Sequence, residues 1–299
     1  MSFSALAQDS LAEAGEPGKQ HYRFGYGHTE DPALRIDEGF LYVPFYQTEG
    51  LTLALGGKSR RLDFKDVPTG QAFPAPSSLE DREFSLHASY RQDENAVWGL
   101  NTNYGSASDR PFDGGDVSVF GVTLSHRSKT SETTQWIWFL NYSNNRVILN
   151  NVPLPGFAAT FHNEEKTRGG MWGFPFVMLW ARPTPKTFAS AFLLFPAAAR
   201  VQAGYLFWGP LQVNAKLEYG QQVYMIANRP RREDRLFVEG ARGLLTLKAY
   251  LGAQTFFEVE AGRAFGRSLF QGRSSFERDS GNLDLPDENV IAASLQLSL

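Results

Sequence analysis

Between positions 211 and 225 apolar and polar side chains alternate with a period of two. Leu211, Val213, Ala215, Leu217, Tyr219, Val223 and Met225 share one parity; Gln212, Asn214, Lys216, Glu218, Gln222 and Tyr224 share the other, and Gln221 alone breaks the apolar row. Successive side chains of a strand point to opposite faces, so the run predicts a strand with one apolar and one polar face. It is long beside the about 5–6 residues of an ordinary strand. The same alternation recurs at Phe84, Leu86, Ala88 and Tyr90, at Trp98, Leu100, Thr102 and Tyr104, at Phe257, Val259 and Ala261, and from Ile291 through Ala293, Leu295 and Leu297 to Leu299.

Short turn signals fall at 48–50, 93–95, 129–133, 183–186, 209–210 and 251–253, and longer polar or Pro/Gly-rich segments at 29–37, 65–81, 106–115, 150–170, 228–234 and 272–288. Short and long connections alternate along the chain, apart from a tight break at 196–199 in a long slot. That alternation predicts a closed barrel with one trimmed and one elaborated end, about 14 strands (about 12 if the segments around Pro196 or the first strand do not span), and both termini at the trimmed end. Membrane residence implies closure, because an open edge in hydrocarbon leaves backbone groups unpaired. A soluble sandwich or propeller would also alternate. The long strands, the loop asymmetry and the aromatics near strand ends (Trp136, Trp138, Tyr205, Phe207, Trp208) favour the membrane barrel, and no blade-length repeat supports a propeller.

The alternating strands, the Gly-aromatic punctuation and a last strand, NVIAASLQLSL, that runs to the chain end resemble bacterial outer-membrane β-barrel proteins of the porin-like kind, from His21 onward. The resemblance implies an all-β, transmembrane, antiparallel up-and-down barrel over residues 21–299, in the outer membrane of a Gram-negative bacterium. Such chains often finish on an aromatic residue; this one finishes on Leu299.

Composition removes other classes. The 299 residues include no cysteine, so disulfides, thiolate metal sites and thiol nucleophiles drop out. A net charge of −3 gives no basic stripe for nucleic acid. The longest charge-poor runs, 169–180 and 187–199, are shorter than the roughly 18–20 apolar residues of a membrane helix. Ala5-Leu6-Ala7 before Gln8 has the small-x-small form of a signal cleavage site, which makes residues 1–7 the end of a secretory signal and 8–20 a periplasmic tail.

The polar parity collects Arg23, His87, Arg91, Lys216, Glu218, Glu258 and Glu260. Charges of both signs on one face predict a hydrated lumen, since Arg or Lys facing lipid at mid-depth costs about 2–4 kcal/mol. The face either conducts or fills the barrel as a polar plug. The reading is a porin-like channel for small polar solutes. The alternative is a non-conducting structural barrel in a membrane-embedded homo-oligomer that holds lipid between subunits. From Met171 to Ala181 both parities are apolar, and Phe188, Phe192 and Leu194 continue the run. Trp172, Phe174, Phe176, Trp180, Phe188 and Phe192 thus form a candidate oligomer or lipid interface, backed by an inward-folded loop over 150–170. Pro44 and Pro175 each remove a ladder donor and predict bulges.

The basic segment Arg229, Arg231, Arg232 and Arg235 suits lipopolysaccharide phosphates or other headgroups of the membrane lipids. His126 and Ser128 have the spacing of a base and nucleophile on one strand face, a minor lipid-hydrolase alternative to a chain read as no enzyme. Acidic loops with Asp109, Asp113 and Asp116, and with Asp284, Asp287 and Glu288, lack the spacing of a calcium loop. No metal or cofactor is expected.

Overall fold

A computed structural model describes residues 20–65, 73, 75–227, 229, 231–252, 254–278 and 281–299. The signal and tail assigned to residues 1–20 lie outside the described residues, except Gln20. The strands are β1 (Arg23–Glu30), β2 (Leu34–Gln47), β3 (Leu51–Phe64), β4 (Ser78–Arg91), β5 (Ala96–Ser108), β6 (Ser118–Lys129), β7 (Thr134–Ser143), β8 (Leu154–His162), β9 (Arg168–Phe174), β10 (Phe176–Thr184), β11 (Thr187–Leu194), β12 (Ala198–Trp208), β13 (Leu211–Tyr224), β14 (Arg235–Tyr250), β15 (Phe256–Gly272), β16 (Asn282–Leu285) and β17 (Glu288–Ser298). Each barrel strand pairs antiparallel with its neighbours, and β17 closes the ring onto β1 from Arg23↔Ser298 to Glu30↔Ile291. Short β16 pairs only with the end of β15, so the barrel has 16 strands with one outside it. Both described chain ends lie together, where the Tyr22 N–H donates to the Leu299 carbonyl at 3.1 Å.

The count of about 14 is corrected by one region. The 150–170 segment is not a loop folded into the lumen. It contains β8, which pairs with β7 from Thr134↔Phe161 to Asn141↔Leu154. The apolar run 171–181 is not one strand either: the chain reverses at Pro175, and β9 and β10 pair with each other from Val177↔Trp172 to Ala181↔Arg168. Three strands stand where one was expected. Pro175, with no N–H to offer a ladder, marks the reversal. The other proline behaves as expected, with a register shift between Pro44 and Tyr46.

Strand length divides the barrel. From β7 to β12 the strands have 10, 9, 7, 9, 8 and 11 residues, close to the about 9–11 that cross a bilayer. Strands β2 to β5 have 14, 14, 14 and 13 residues, and β13 to β15 have 14, 16 and 17.

The surplus length forms a second storey at the loop end, and there the sense of the wall inverts. On β3, Leu51, Leu53 and Leu55 face outward near the short-turn end, whereas Ser59, Arg61 and Asp63 take the same face near the loop end; the opposite face runs from Thr52 through Lys58 and Arg60 to buried Leu62 and Phe64. Strand β4 repeats this in register, with Phe84, Leu86 and Tyr90 outward below and Glu80 and Arg82 outward above, and Leu79 inward opposite Leu62. The outward charges pair among themselves: Arg61 with Asp63 at 2.9 Å, Arg82 with Glu80 at 2.6 Å, Arg35 with Asp37 at 2.8 Å.

Inside the outer storey, opposite walls meet. Leu34, Ile36, Leu62 and Leu79 from β2–β4 and Tyr224, Leu236, Val238 and Leu269 from β13–β15 belong to one buried apolar cluster. Each fully buried aliphatic side chain contributes on the order of 1.5–3 kcal/mol. The end of β13 touches β5, half a circumference away, where the Met225 N–H donates to the Ala107 carbonyl at 2.7 Å.

One connection expected to be long is short. The 29–37 segment is a three-residue turn between β1 and β2, tied by Asp31 Oδ1 accepting from the Ala33 and Leu34 N–H groups at 2.8 and 2.9 Å. The Asp31 carboxylate also meets Arg267 Nη1 of β15 at 2.6 Å, both side chains buried.

Candidate functional site: the inner wall

In the membrane storey the inward faces of β12–β15 carry a network of charges. Glu218 on β13 lies opposite Arg242 on β14 and Arg200 on β12. Its Oε1 accepts from Arg242 Nε at 3.0 Å, and Arg200 Nε lies 3.2 Å from its Oε2. One residue pair nearer the short-turn end, Lys216 donates to Glu260, with Glu258 at 4.0 Å; Lys248 stands 3.9 Å from the other oxygen of Glu258. Glu218 and Arg242 are each about 4% exposed. Two charges taken out of water lose several kcal/mol of solvation each, which such pairing offsets.

The facing wall carries a second set at similar height: Arg60 pairs with Glu38 at 3.1 Å, Lys58 with Asp81 at 2.6 Å, and Glu83 accepts from Asn103 Nδ2 at 3.2 Å. Nearer the short-turn end, Arg23 lies over the Tyr42 ring at 4.9 Å, Tyr42 meets the His87 ring at 5.4 Å, and His87 shares a 2.8 Å hydrogen bond with Ser85. Arg91 takes the same inward parity at the end of β4.

The expected lumen residues Arg23, His87, Arg91, Lys216, Glu218, Glu258 and Glu260 thus share the inner face. Arg200 and Arg242, the partners of Glu218, and the second set of Arg60 with Glu38 and Lys58 with Asp81 were not singled out from sequence. The available signal was opposite charge at equal inward parity on adjacent strands, as in Arg60↔Asp81 and Lys58↔Glu83.

Across β7–β11 the inner face carries an apolar cluster instead of a charge network. Ile137, Ala158, Met171 and Phe176 are buried together, with Phe139, Met178, Phe192 and Leu194 against them. The aromatic set expected on one interface is therefore divided by the reversal at Pro175. Trp172 and Phe174 face outward, about 47% and 59% exposed, whereas Phe176 is about 5% exposed and faces inward with Phe192. Phe188 covers Gly204, where an added Cβ would lie 2.1 Å from its ring, and Trp180 covers Gly169 on the inner face. Outside, Trp172 joins Trp136, Trp138 and Phe157 in an aromatic cluster with ring separations of 5.9–6.5 Å.

At the loop end the arginine segment is engaged with its neighbours. Arg229 Nη2 donates to the Asp116 carbonyl at 2.8 Å, Arg232 pairs with the Asp116 carboxylate at 3.2 Å, and Arg231 with Asp234 at 3.4 Å. Arg235 is buried and donates to the Asn144 carbonyl at 3.2 Å. Burial holds the Arg229 guanidinium below the usual arginine range. Asp109 accepts from the Ala227 N–H at 2.8 Å, so the 225–234 loop is latched to the 109–117 loop across the mouth.

His126 and Ser128 share the outward face of β6. The His126 ring packs on Trp98 at 4.5 Å, and no hydrogen bond joins His126 to Ser128 among the described residues. Nor does any cluster of three His, Asp or Glu side chains among them stand ready for a metal ion.

The outward face of the membrane storey is a belt of exposed apolar side chains, among them Leu55, Phe84, Leu217, Leu245 and Ile291. In water such a belt far exceeds the patches a soluble monomer exposes; in hydrocarbon it is the required surface of a closed barrel. The chain is a closed antiparallel β-barrel whose outward apolar belt is built to sit in a bilayer, and the belt and the closure together carry that statement.

No family model and no curated protein matches the sequence. Solved structures similar to the chain include the Pseudomonas putida toluene transporter TodX (9% identity, covering 99% of this chain and 93% of that one, TM-score 0.45), OccAB4 of Acinetobacter baumannii (6% identity, 95% and 99%, 0.42) and the KdgM porin (10% identity, 93% and 99%, 0.30). At these values the likenesses add nothing to what the barrel's own wall shows.

Proposed function

We propose that the protein is a porin-like channel for small polar solutes, with the membrane storey as its passage and the outer storey as a closure. The observation that carries this reading is the inner wall of both charge signs, Lys216, Glu218, Glu258 and Glu260 with Arg200 and Arg242, facing Glu38, Arg60 and Asp81. Charges of both signs on facing stretches of the wall supply the polar lining a solute path needs, and in this conformation Glu218 and Arg242, each about 4% exposed, are paired across strands. The apolar cluster between the opposite walls and the loop latch close the outer mouth in this conformation.

That closure favours a second reading, a non-conducting structural barrel. In that reading outward Trp172 and Phe174 meet lipid or a second barrel, and exposed Arg231 and Arg232 meet lipopolysaccharide phosphates.

Planar-bilayer recording separates the two. Under the channel reading the wild type conducts sparsely, and Asp109→Ala/Asp116→Ala, which removes the Asp109–Ala227 and Asp116–Arg232 contacts of the latch, raises the open fraction several-fold. Silence from both proteins at every salt concentration rejects the channel and leaves the structural barrel.

A further inference from the structure

At the short-turn end the inner faces of β8–β10 border a concavity of about 450 Å³ lined by His162, Lys166, Trp180 and Arg182, within the size range of small-molecule sites. His162 on β8 lies opposite Gly169 on β9, and Gly169 opposite Trp180 on β10. A Cβ on Gly169 would lie 2.8 Å from the indole, so the glycine makes room for the ring beside His162.

The two cations are placed by backbone. Asn163 Oδ1 accepts from the N–H groups of Thr167 and Arg168, both at 2.9 Å, and the Asn163 carbonyl accepts from Lys166 at 3.0 Å, which holds Lys166 at φ +51°. The Arg182 N–H donates to the Thr167 carbonyl at 2.6 Å, tying β10 to the same turn. His162 Nδ1 meets the Asn163 carbonyl at 2.9 Å; a carbonyl only accepts, so Nδ1 carries a proton, and in the neutral tautomer this selects Nε2 is the acceptor.

Elsewhere on the inner wall Lys58, Arg60, Lys216 and Arg242 are each paired with a carboxylate. Here neither the Lys166 ammonium nor the Arg182 guanidinium has an ion pair or a side-chain hydrogen bond among the described residues. Glu164 and Glu165 of the same turn pair with neither. Arg182 lines the concavity together with the inward ring of Trp180.

We infer that this concavity binds a small anionic solute, one carboxylate or phosphate on a compact ring. Arg182 takes two oxygens of the anion in parallel, Lys166 adds a point charge, His162 Nε2 accepts from a ring hydroxyl, and the Trp180 indole covers the apolar face of the ring. The inference rests on the channel reading for its place in transport, whereas binding itself needs no open pore.

The test uses the full chain in a neutral detergent, titrated with glucuronate and, as the same kind of ring without the carboxylate, glucose, following heat and tryptophan fluorescence. Glucuronate is expected to bind saturably and glucose not. Arg182→Gln and Lys166→Gln each weaken glucuronate at least about tenfold, the effect of losing a hydrogen bond to a charged group. Trp180→Phe removes the fluorescence change while heat of binding persists. Both cationic side chains are exposed, and unchanged circular dichroism verifies the fold of the variants.

Equal binding of glucose, or glucuronate affinity unchanged in both charge variants, overturns the site. Displacement of glucuronate by phosphatidylglycerol bicelles, but not by inorganic phosphate, assigns the cations to lipid headgroups and overturns the solute assignment. Glucuronate binding without conductance fails the channel and leaves the site standing; conductance without binding does the reverse.

Discussion

The two storeys of this barrel are built from the same strands and have opposite insides. Below, Leu55, Leu217 and Leu245 face out, and Lys216, Glu218 and Glu260 face in; above, Arg61, Asp63 and Glu80 face out, and Leu62, Leu79 and Leu236 face in. The backbone ladder is continuous across the change, as the unbroken β3–β4 register shows. The medium on each side of the wall, rather than strand geometry, therefore decides which residue types each face carries. Hydrocarbon outside requires apolar contacts and tolerates charges only within; water outside returns the ordinary arrangement of a soluble protein, with its apolar side chains against each other.

Glu218→Leu gives the largest expected effect on this contrast. It strips Arg200, Arg242 and Lys216 of a shared carboxylate in the membrane storey and is expected to lower stability by about 3–5 kcal/mol, read from urea titration of protein folded into vesicles. The double change Glu218→Leu/Arg242→Met should recover part of the loss; no recovery would show that the network does not act through charge pairing.

A single strand then locates the boundary. Leu55→Arg puts a cation on the outward face of the membrane storey and is expected to cost about 2–4 kcal/mol. Ser59→Arg, on the same face of β3 one turn of the inversion higher, is expected to stay within about 0.5 kcal/mol. Equal penalties at the two positions would mean that the bilayer covers both and that the outer storey is not in water.

Much of the fold was legible because alternation depends on local geometry alone. The faces of β13, β4 and β17 follow from the period-two pattern, and the inward parity of Lys216, Glu218, Glu258 and Glu260 followed with them. Gln221, the one break in the apolar row of β13, lies just beyond the inversion, where it donates to Glu239 at 3.1 Å on the outward face. The long segments at 29–37 and 65–81 were overestimated for the same reason: polar outward residues of the outer storey, such as Arg35, Asp37 and Glu80, read as loop. The cationic concavity was not legible, because Lys166 fell in an assumed loop and Arg182 beside an assumed turn, and nothing in spacing brings the two together.

The chain's pattern of residues settled that it is a β-barrel, which parity carries charge, and that closure must follow. Strand number, the division of the aromatic run at Pro175, and the meeting of β2–β5 with β13–β15 came from the folded molecule only. A run apolar at every position carries no parity with which to reveal a reversal. Contacts across a lumen join residues more than a hundred positions apart, as Met225 and Ala107 are joined, and no local period encodes that distance.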